Sequence, residues 1–376
     1  MRYFLIAGEP SGDLHGANLI KGLRGEDPAA EFRFWGGDAM ASAGGSENLL
    51  KHYRETSLFG IIEVLRNLKR ISAQLEECKA SIKEFNPDVV ILIDYPGFNM
   101  KVAKYAKEQG FKVFYYIAPK VWASRSGRIK AMRRYIDELF VIFPFEQAYF
   151  EQRGITPHFC GNPLTDALAA KVESLPSREE FIVSNKLSDK PIIALLAGSR
   201  GSEIRANLPL MVSVSKAFPE HQFVVAGVPW LEREEYNKLL IDSDIQIVTD
   251  QTYELLTSAE AAVVTSGTAT LETALLNIPE VVVYRVNLLL QILRPLIIHV
   301  PFISLVNINL ERESVREIVQ NSLDASSTIE SLKRVVVGGE DRERMLADFE
   351  ELRAIIGSSG ASGRFAANMV NLLNNR

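Results

Sequence analysis

Along most of the chain, short unbroken apolar runs are each followed by a few small or polar residues and then by a helical pattern. In the first half, residues 3–7 (YFLIA), 89–94 (VVILID), 112–117 (KVFYYI), 138–143 and 158–162 read as strands, and 31–37 as another ending on a Gly-Gly turn. Apolar runs without alternation mark strands buried on both faces of a parallel sheet. The pattern restarts at Ile192 and continues with strands near 222–226, 245–248, 261–264 and 281–284. Helical patterns fall at 58–82, at 144–152 opening on Pro144, at 268–276, and at 342–356 and 363–373. Two separate strand-helix series predict an α/β protein of two facing Rossmann-like domains, 1–163 and 164–340. Gly161-Asn162-Pro163-Leu164 reads as the exit between them, and 341–376 as a helical C-terminal segment able to pack back on the first domain.

Candidate chemistry lies where the strands end. After 261–264, Thr265, Ser266 and Gly267 turn the chain into a helix starting at Thr268. Its unpaired first-turn N–H groups, with the Ser266 and Thr268 hydroxyls, make either an anion site suited to a diphosphate or an ordinary capped helix. Glu272, one turn on, can face a ribose hydroxyl pair. Residues 192–201 (IIALLAGSRG) repeat the design, with Ser199 and Arg200 in the loop and Glu203 in the first helical turn. The loop after 3–7 carries Gly8, Glu9, Gly12, His15 and Gly16. Its glycines are spaced by four, not as Gly-x-Gly-x-x-Gly, so it is not the fingerprint of a nicotinamide cofactor. Asp94 ends its strand either as a cap for the next helix or as a general base, with Glu9 and His15 as rivals for that role. Lys120, Arg125 and Arg128 crowd the loop after 112–117, as a solvated helix face or as contacts for a substrate phosphate.

Composition narrows these readings. The chain has 376 residues, 47% hydrophobic and 24% charged, which are globular values; its net charge of -5 gives nucleic-acid binding no overall support. Two distant cysteines and five scattered histidines form no ligand spacing, so a reduced, cytosolic chain without a structural metal is expected. The opening residues read as a strand, not a signal peptide. The greasy stretch 286–306 is broken by Gln291, Arg294, Pro295, His299 and Pro301, so no spanning helix is expected. Asp242-Ser243-Asp244 reads as a turn rather than a metal motif. The stripe Ile61, Leu65, Leu68, Ile71 and Leu75, flanked by Arg66, Lys69 and Arg70, either packs on its own sheet or offers an apolar surface to lipid.

Five motifs in order carry a resemblance: Ala7-Gly8-Glu9-Pro10-Ser11-Gly12-Asp13, Ile93-Asp94-Tyr95-Pro96-Gly97-Phe98-Asn99, Pro119-Lys120-Val121-Trp122-Ala123, Gly198-Ser199-Arg200-Gly201-Ser202-Glu203, and Ser266-Gly267-Thr268-Ala269-Thr270-Leu271-Glu272. Together they resemble the lipid-A-disaccharide synthase family of GT-B glycosyltransferases over nearly the whole chain. The resemblance implies transfer of 2,3-diacylglucosamine from its UDP derivative to 2,3-diacylglucosamine 1-phosphate. A β(1→6) bond forms by inversion and UDP departs, with no cofactor and no bound metal. It places Ser199, Arg200, Ser266, Gly267, Thr268, Glu272 and Asn307 on the donor side. Asp94 would be a carboxylate needed for activity, and Glu9 a further acidic position. It also implies peripheral contact with lipid at the cytoplasmic face of the inner membrane, and admits a homodimer. The chain departs from the family pattern at Ser124, where tryptophan is usual, and at Leu305-Val306-Asn307-Ile308-Asn309. Competing readings are a UDP-sugar transferase or epimerase of the same frame acting on a soluble substrate, and a non-catalytic binding protein with no need of Asp94.

Overall fold

The computed structural model describes residues 1–375 apart from 57–67, 123–125, 242, 286–300, 321 and 323. The chain divides into two compact units, one of Met1–Asp166 together with Gly357–Arg376, the other of Ala167–Ile356.

In the first unit, β1 (Arg2–Ala7), β2 (Glu31–Gly36), β3 (Leu49–His52), β4 (Val89–Ile93), β5 (Lys112–Tyr116), β6 (Glu138–Val141) and β7 (Pro157–Phe159) form one sheet. Its order is β3-β2-β1-β4-β5-β6-β7, and every pairing is parallel. The apolar runs are buried on both faces because alternate residues feed two cores. Tyr3, Leu5, Ile91, Phe114 and Tyr116 point into one, and Phe4, Ile6, Val90, Leu92 and Tyr115 into the other. Strand order reverses between β1 and β4, where Ala7 lies level with Ile93. Such a switch point opens a crevice beyond the strand ends.

The helix Leu68–Phe85 buries Gln74, Cys78, Ile82 and Phe85, and Leu75 packs on the same core. Within the apolar stripe, Leu75 is therefore ordinary packing; Ile61, Leu65 and Arg66 lie outside the described residues. The last helix, Ala361–Asn374, lies on the helix Pro10–Glu26 and sends Phe365, Ala366, Met369 and Val370 into the core shared by Leu19, Ile20 and Leu23. Gly22 permits this approach, since a Cβ there would sit 2.9 Å from that of Ala366. Asp166 secures the helix start, its carboxylate accepting the N–H groups of Gly360 (2.5 Å), Ala361 (3.0 Å) and Ser362 (2.8 Å).

The second unit carries β8 (Ile192–Leu196), β9 (Gln222–Gly227), β10 (Gln246–Thr249), β11 (Ala261–Thr265), β12 (Glu280–Arg285) and β13 (Arg316–Gln320) in the order β10-β9-β8-β11-β12-β13. It is again wholly parallel, and its switch point falls between β8 and β11, with Leu196 level with Val264. The helix Arg342–Ile356 belongs to this unit. Among the described residues no helix is long and apolar enough to cross a membrane.

Candidate active site

At the first switch point the chain leaves β4 through two successive left-handed residues, Asp94 (φ 44°) and Tyr95 (φ 47°). Neither is glycine, and such backbone costs about 1–3 kcal/mol per residue unless its surroundings fix it. Here they do. Asn99, fully buried one turn into the helix Pro96–Glu108, donates its amide to the carbonyls of Ile93 (3.2 Å) and Asp94 (2.8 Å). The Tyr115 hydroxyl donates to the same Asp94 carbonyl (2.6 Å), and the Asp94 N–H donates to the Tyr116 carbonyl (3.1 Å). The loop after β1 closes against this turn, for a Cβ on Gly8 would meet the Tyr95 ring at 2.3 Å.

Tyr95, not Asp94, holds the cap position of the helix, and no side chain caps it. The Asp94 carboxyl is free of that duty. Burial pushes its pKa above the ordinary carboxylate value; Lys120 pulls it down, Glu9 adds to the rise, and the Tyr95 N–H lowers it. Glu9 and Asp94 therefore share one electrostatic environment. Glu9 is exposed at the cap position of the helix Pro10–Glu26. His15 lies within that helix rather than in the loop; burial lowers its pKa to about 4, so it is neutral, and its Nδ1 is enclosed without a partner among the described residues. Asp13 caps the helix Asp38–Gly44, accepting from the N–H groups of Gly37 (2.6 Å), Ala39 (3.0 Å) and Met40 (3.1 Å).

The second switch point is built on glycine. Gly198 has φ 120°, and a Cβ there would lie 2.6 Å from that of Glu203. The Glu203 carboxylate accepts from the N–H groups of Ser199 (3.2 Å) and Arg200 (3.3 Å) and from the Arg200 guanidinium (3.0 Å). Those two loop amides are thus engaged internally. The Arg200 side chain remains 74% exposed, with further N–H donors to offer.

Beside it, the helix Thr268–Leu275 opens without a side-chain cap, Gly267 and Thr268 are exposed, and a Cβ on Gly267 would meet nothing. The Thr270 N–H donates to the Gly267 carbonyl (3.3 Å), while the amides of Thr268 and Ala269 lack helical partners by geometry, which makes this end receptive to an anion. The Ser266 hydroxyl is spent elsewhere, donating to the Ile303 carbonyl (3.0 Å), so a phosphate would meet the backbone here and not that hydroxyl. Glu272 is half-buried; burial raises its pKa and a hydrogen bond from the Tyr253 hydroxyl (2.7 Å) lowers it.

Asn307, expected as a donor contact, is wholly enclosed. Its amide donates to the Val315 carbonyl (2.8 Å) and Glu317 (2.9 Å), and its oxygen accepts from the N–H groups of Ser314 (2.8 Å) and Val315 (3.0 Å). It braces the turn that receives Ser266. Lys120 is exposed and acts electrostatically on Asp94, Arg128 is half-buried in the short 3-10 turn Ser126–Arg128, and Arg125, like Ser124, lies outside the described residues.

Three groups escaped sequence reasoning. Asn207, buried in the helix Gly201–Ser215, donates to Thr265 Oγ1 (3.1 Å) and the Ala197 carbonyl (3.5 Å) and accepts from the Arg285 N–H (3.0 Å). It ties the ends of β8, β11 and β12 together as Asn99 ties β1 and β4. Both asparagines sit on apolar stripes, Asn207 with Ile204, Leu208 and Met211, Asn99 with Val102, Ala103 and Ala106; a polar residue on such a stripe was the available signal. The third is Glu146, buried and raised to about 7 by burial, which accepts from Trp122 Nε1 (2.9 Å) and the N–H groups of Ile142 (3.2 Å) and Phe143 (3.1 Å). It anchors the loop that carries Lys120.

Residues 3–361 match the family model described as lipid-A-disaccharide synthetase. The lipid-A-disaccharide synthase of Myxococcus xanthus is 37% identical over 378 residues, spanning 99% of this chain and 97% of that protein. Among solved structures, the glycotransferase of kitacinnamycin superposes with a TM-score of 0.66 at 14% identity, covering 99% of this chain and 98% of that one. A UDP-GlcNAc 2-epimerase from Neisseria meningitidis bound to UDP-GlcNAc gives 0.65 at 14%, covering 100% of both. Similarity at that level of identity shows the shared GT-B-like fold and does not favour epimerisation.

Proposed function

Since this chain belongs to the lipid-A-disaccharide synthetase family, and is a glycosyltransferase of lipid A synthesis acting on a UDP-sugar and an acceptor, we propose a base for the transfer and a set of groups for its leaving diphosphate. Asp94 takes the proton from the acceptor's 6-hydroxyl as that oxygen bonds to the donor's anomeric carbon, and the bond from that carbon to the diphosphate breaks with inversion. The loops after β8 and β11 receive the charge that leaves. First-turn N–H groups after Gly267, the Thr268 hydroxyl and the Arg200 guanidinium take the diphosphate, and Glu272 takes the ribose hydroxyls. The donor is UDP-2,3-diacylglucosamine and the acceptor 2,3-diacylglucosamine 1-phosphate, whose phosphate suits Lys120 and Arg128. Ser266 and Asn307 act as positioning residues through the Ile303 turn.

The observation that carries this reading is a carboxylate whose pKa burial raises, delivered on a strained and fully braced turn at a switch point. A raised carboxyl lies nearer the working pH than an ordinary one, which improves it as a general base. Membrane contact belongs to the same proposal. The described part of the helix Leu68–Phe85 packs on its own sheet, so the lipid-facing role falls to Ile61 and Leu65 with Arg66, Lys69 and Arg70, holding the enzyme at the cytoplasmic face of the inner membrane. Purified protein incubated with both acylated substrates should yield the disaccharide 1-phosphate and UDP by mass spectrometry. Turnover of UDP-GlcNAc without any acylated acceptor would point instead to an epimerase.

A further inference from the structure

Glu272 does not stand alone. Tyr253 lies in the helix Thr252–Ser258, on the crossover that runs from the edge strand β10 to β11, and its hydroxyl donates to Glu272 Oε1 at 2.7 Å. Among the described residues the other oxygen, Oε2, has no donor. We infer that Tyr253 is a positioning residue for nucleotide recognition, fixing Glu272 as the acceptor of a ribose diol and thereby setting discrimination between ribo- and deoxyribonucleotides.

The physical case has two parts. A lone glutamate samples several rotamers, whereas one anchored through a single oxygen presents the second in one direction. Protonation state matters as well. An ionised carboxylate accepts from both hydroxyls of a vicinal diol, while the neutral acid turns one of its acceptors into a donor. Burial favours the neutral form of Glu272, and the Tyr253 hydrogen bond opposes it. Tyr253 itself stays protonated, since burial and the neighbouring Glu272 both push its hydroxyl above the ordinary tyrosine value. Donor and acceptor are thereby assigned, and the geometry has one polarity.

The inference rests on the reading of Glu272 as the ribose contact, and the experiment separates the two. Calorimetric dissociation constants for UDP and 2′-deoxy-UDP would be measured with the unaltered protein, Tyr253→Phe, Glu272→Gln and the double variant. Tyr253→Phe should weaken UDP about tenfold and move 2′-deoxy-UDP by no more than about twofold, the scale of one hydrogen bond to a charged group. Its melting temperature should not change, and the double variant should be no worse than Glu272→Gln because both act through one carboxylate. If the unaltered protein and Glu272→Gln show the same ratio between the two nucleotides, the ribose reading falls and Tyr253 with it. If Glu272→Gln loses the discrimination and Tyr253→Phe keeps it, only the role of Tyr253 is overturned. Equal weakening of both nucleotides by Tyr253→Phe marks a packing role and also overturns it.

Discussion

The ends of β1 and β4 and the ends of β8 and β11 hold the same topological place in their sheets and are built in opposite ways. The first uses two non-glycine left-handed residues, braced by a buried amide and a tyrosine hydroxyl, to carry a half-buried carboxylate. The second uses Gly198 and an open Gly267, and presents an exposed guanidinium beside an uncapped helix start. A base must be held rigidly and partly withdrawn from water, which strain and burial accomplish. A site for a departing diphosphate must let several N–H donors approach one anion, and glycine permits that. The shared frame thus leaves polarity to a handful of loop residues.

The largest effect should come from the braced side. Asp94→Asn keeps the shape and removes the base, so turnover should fall by about 10² to 10⁴-fold with UDP affinity retained. Its melting behaviour sharpens the comparison. The folded-state pKa of Asp94 lies above its unfolded value, so the fold disfavours the ionised form. That penalty is absent below the unfolded pKa and grows as pH rises through the folded one. At neutral pH the asparagine variant should therefore melt no lower than the unaltered protein. A lower melting point, with activity recovered in the cold, would make Asp94 structural.

Arg200→Ala comes next and tests the open side. Loss of about 3 kcal/mol in kcat/KM is expected, the size of removing one preorganised donor. UDP affinity should fall too, with little change in melting because the side chain is exposed. Near-normal turnover and UDP binding would take Arg200 out of the site. The smallest effect is assigned to Lys120→Met. Its charge holds the Asp94 pKa down, so removing it should move the acid limb of kcat/KM upward, and less so in high salt. An unmoved limb with weaker acceptor binding would make Lys120 a phosphate contact instead.

Much of this architecture was readable because two-sided burial writes itself as unbroken apolar runs, and their ends mark the crevice. Two of the four edge strands leave no such trace. β3 (LLKH) is half-exposed and β13 (REIVQ) carries charge, so neither stood out from loop sequence. Within the candidate site, the loops were legible and their support was not. Asn99, Asn207 and Tyr253 matter through partners supplied by other elements, and a helix read alone shows them only as polar positions. Ser266 and Asn307 show the converse, being polar groups at the right place whose hydrogen bonds turn inward.

The return of the last helix to the first unit has a consequence for how the chain is made. Residues Ala167–Ile356 are inserted between two parts of one folding unit. During synthesis the first sheet emerges early, yet the surface of Leu19, Ile20 and Leu23 that Phe365, Ala366 and Met369 cover stays bare until that later helix has been made. Closing so long an insertion adds little entropy beyond a short one, so the delay is one of order rather than of stability. The inserted unit can mature on the ribosome while its host waits, and the half that carries Asp94 is completed only after it.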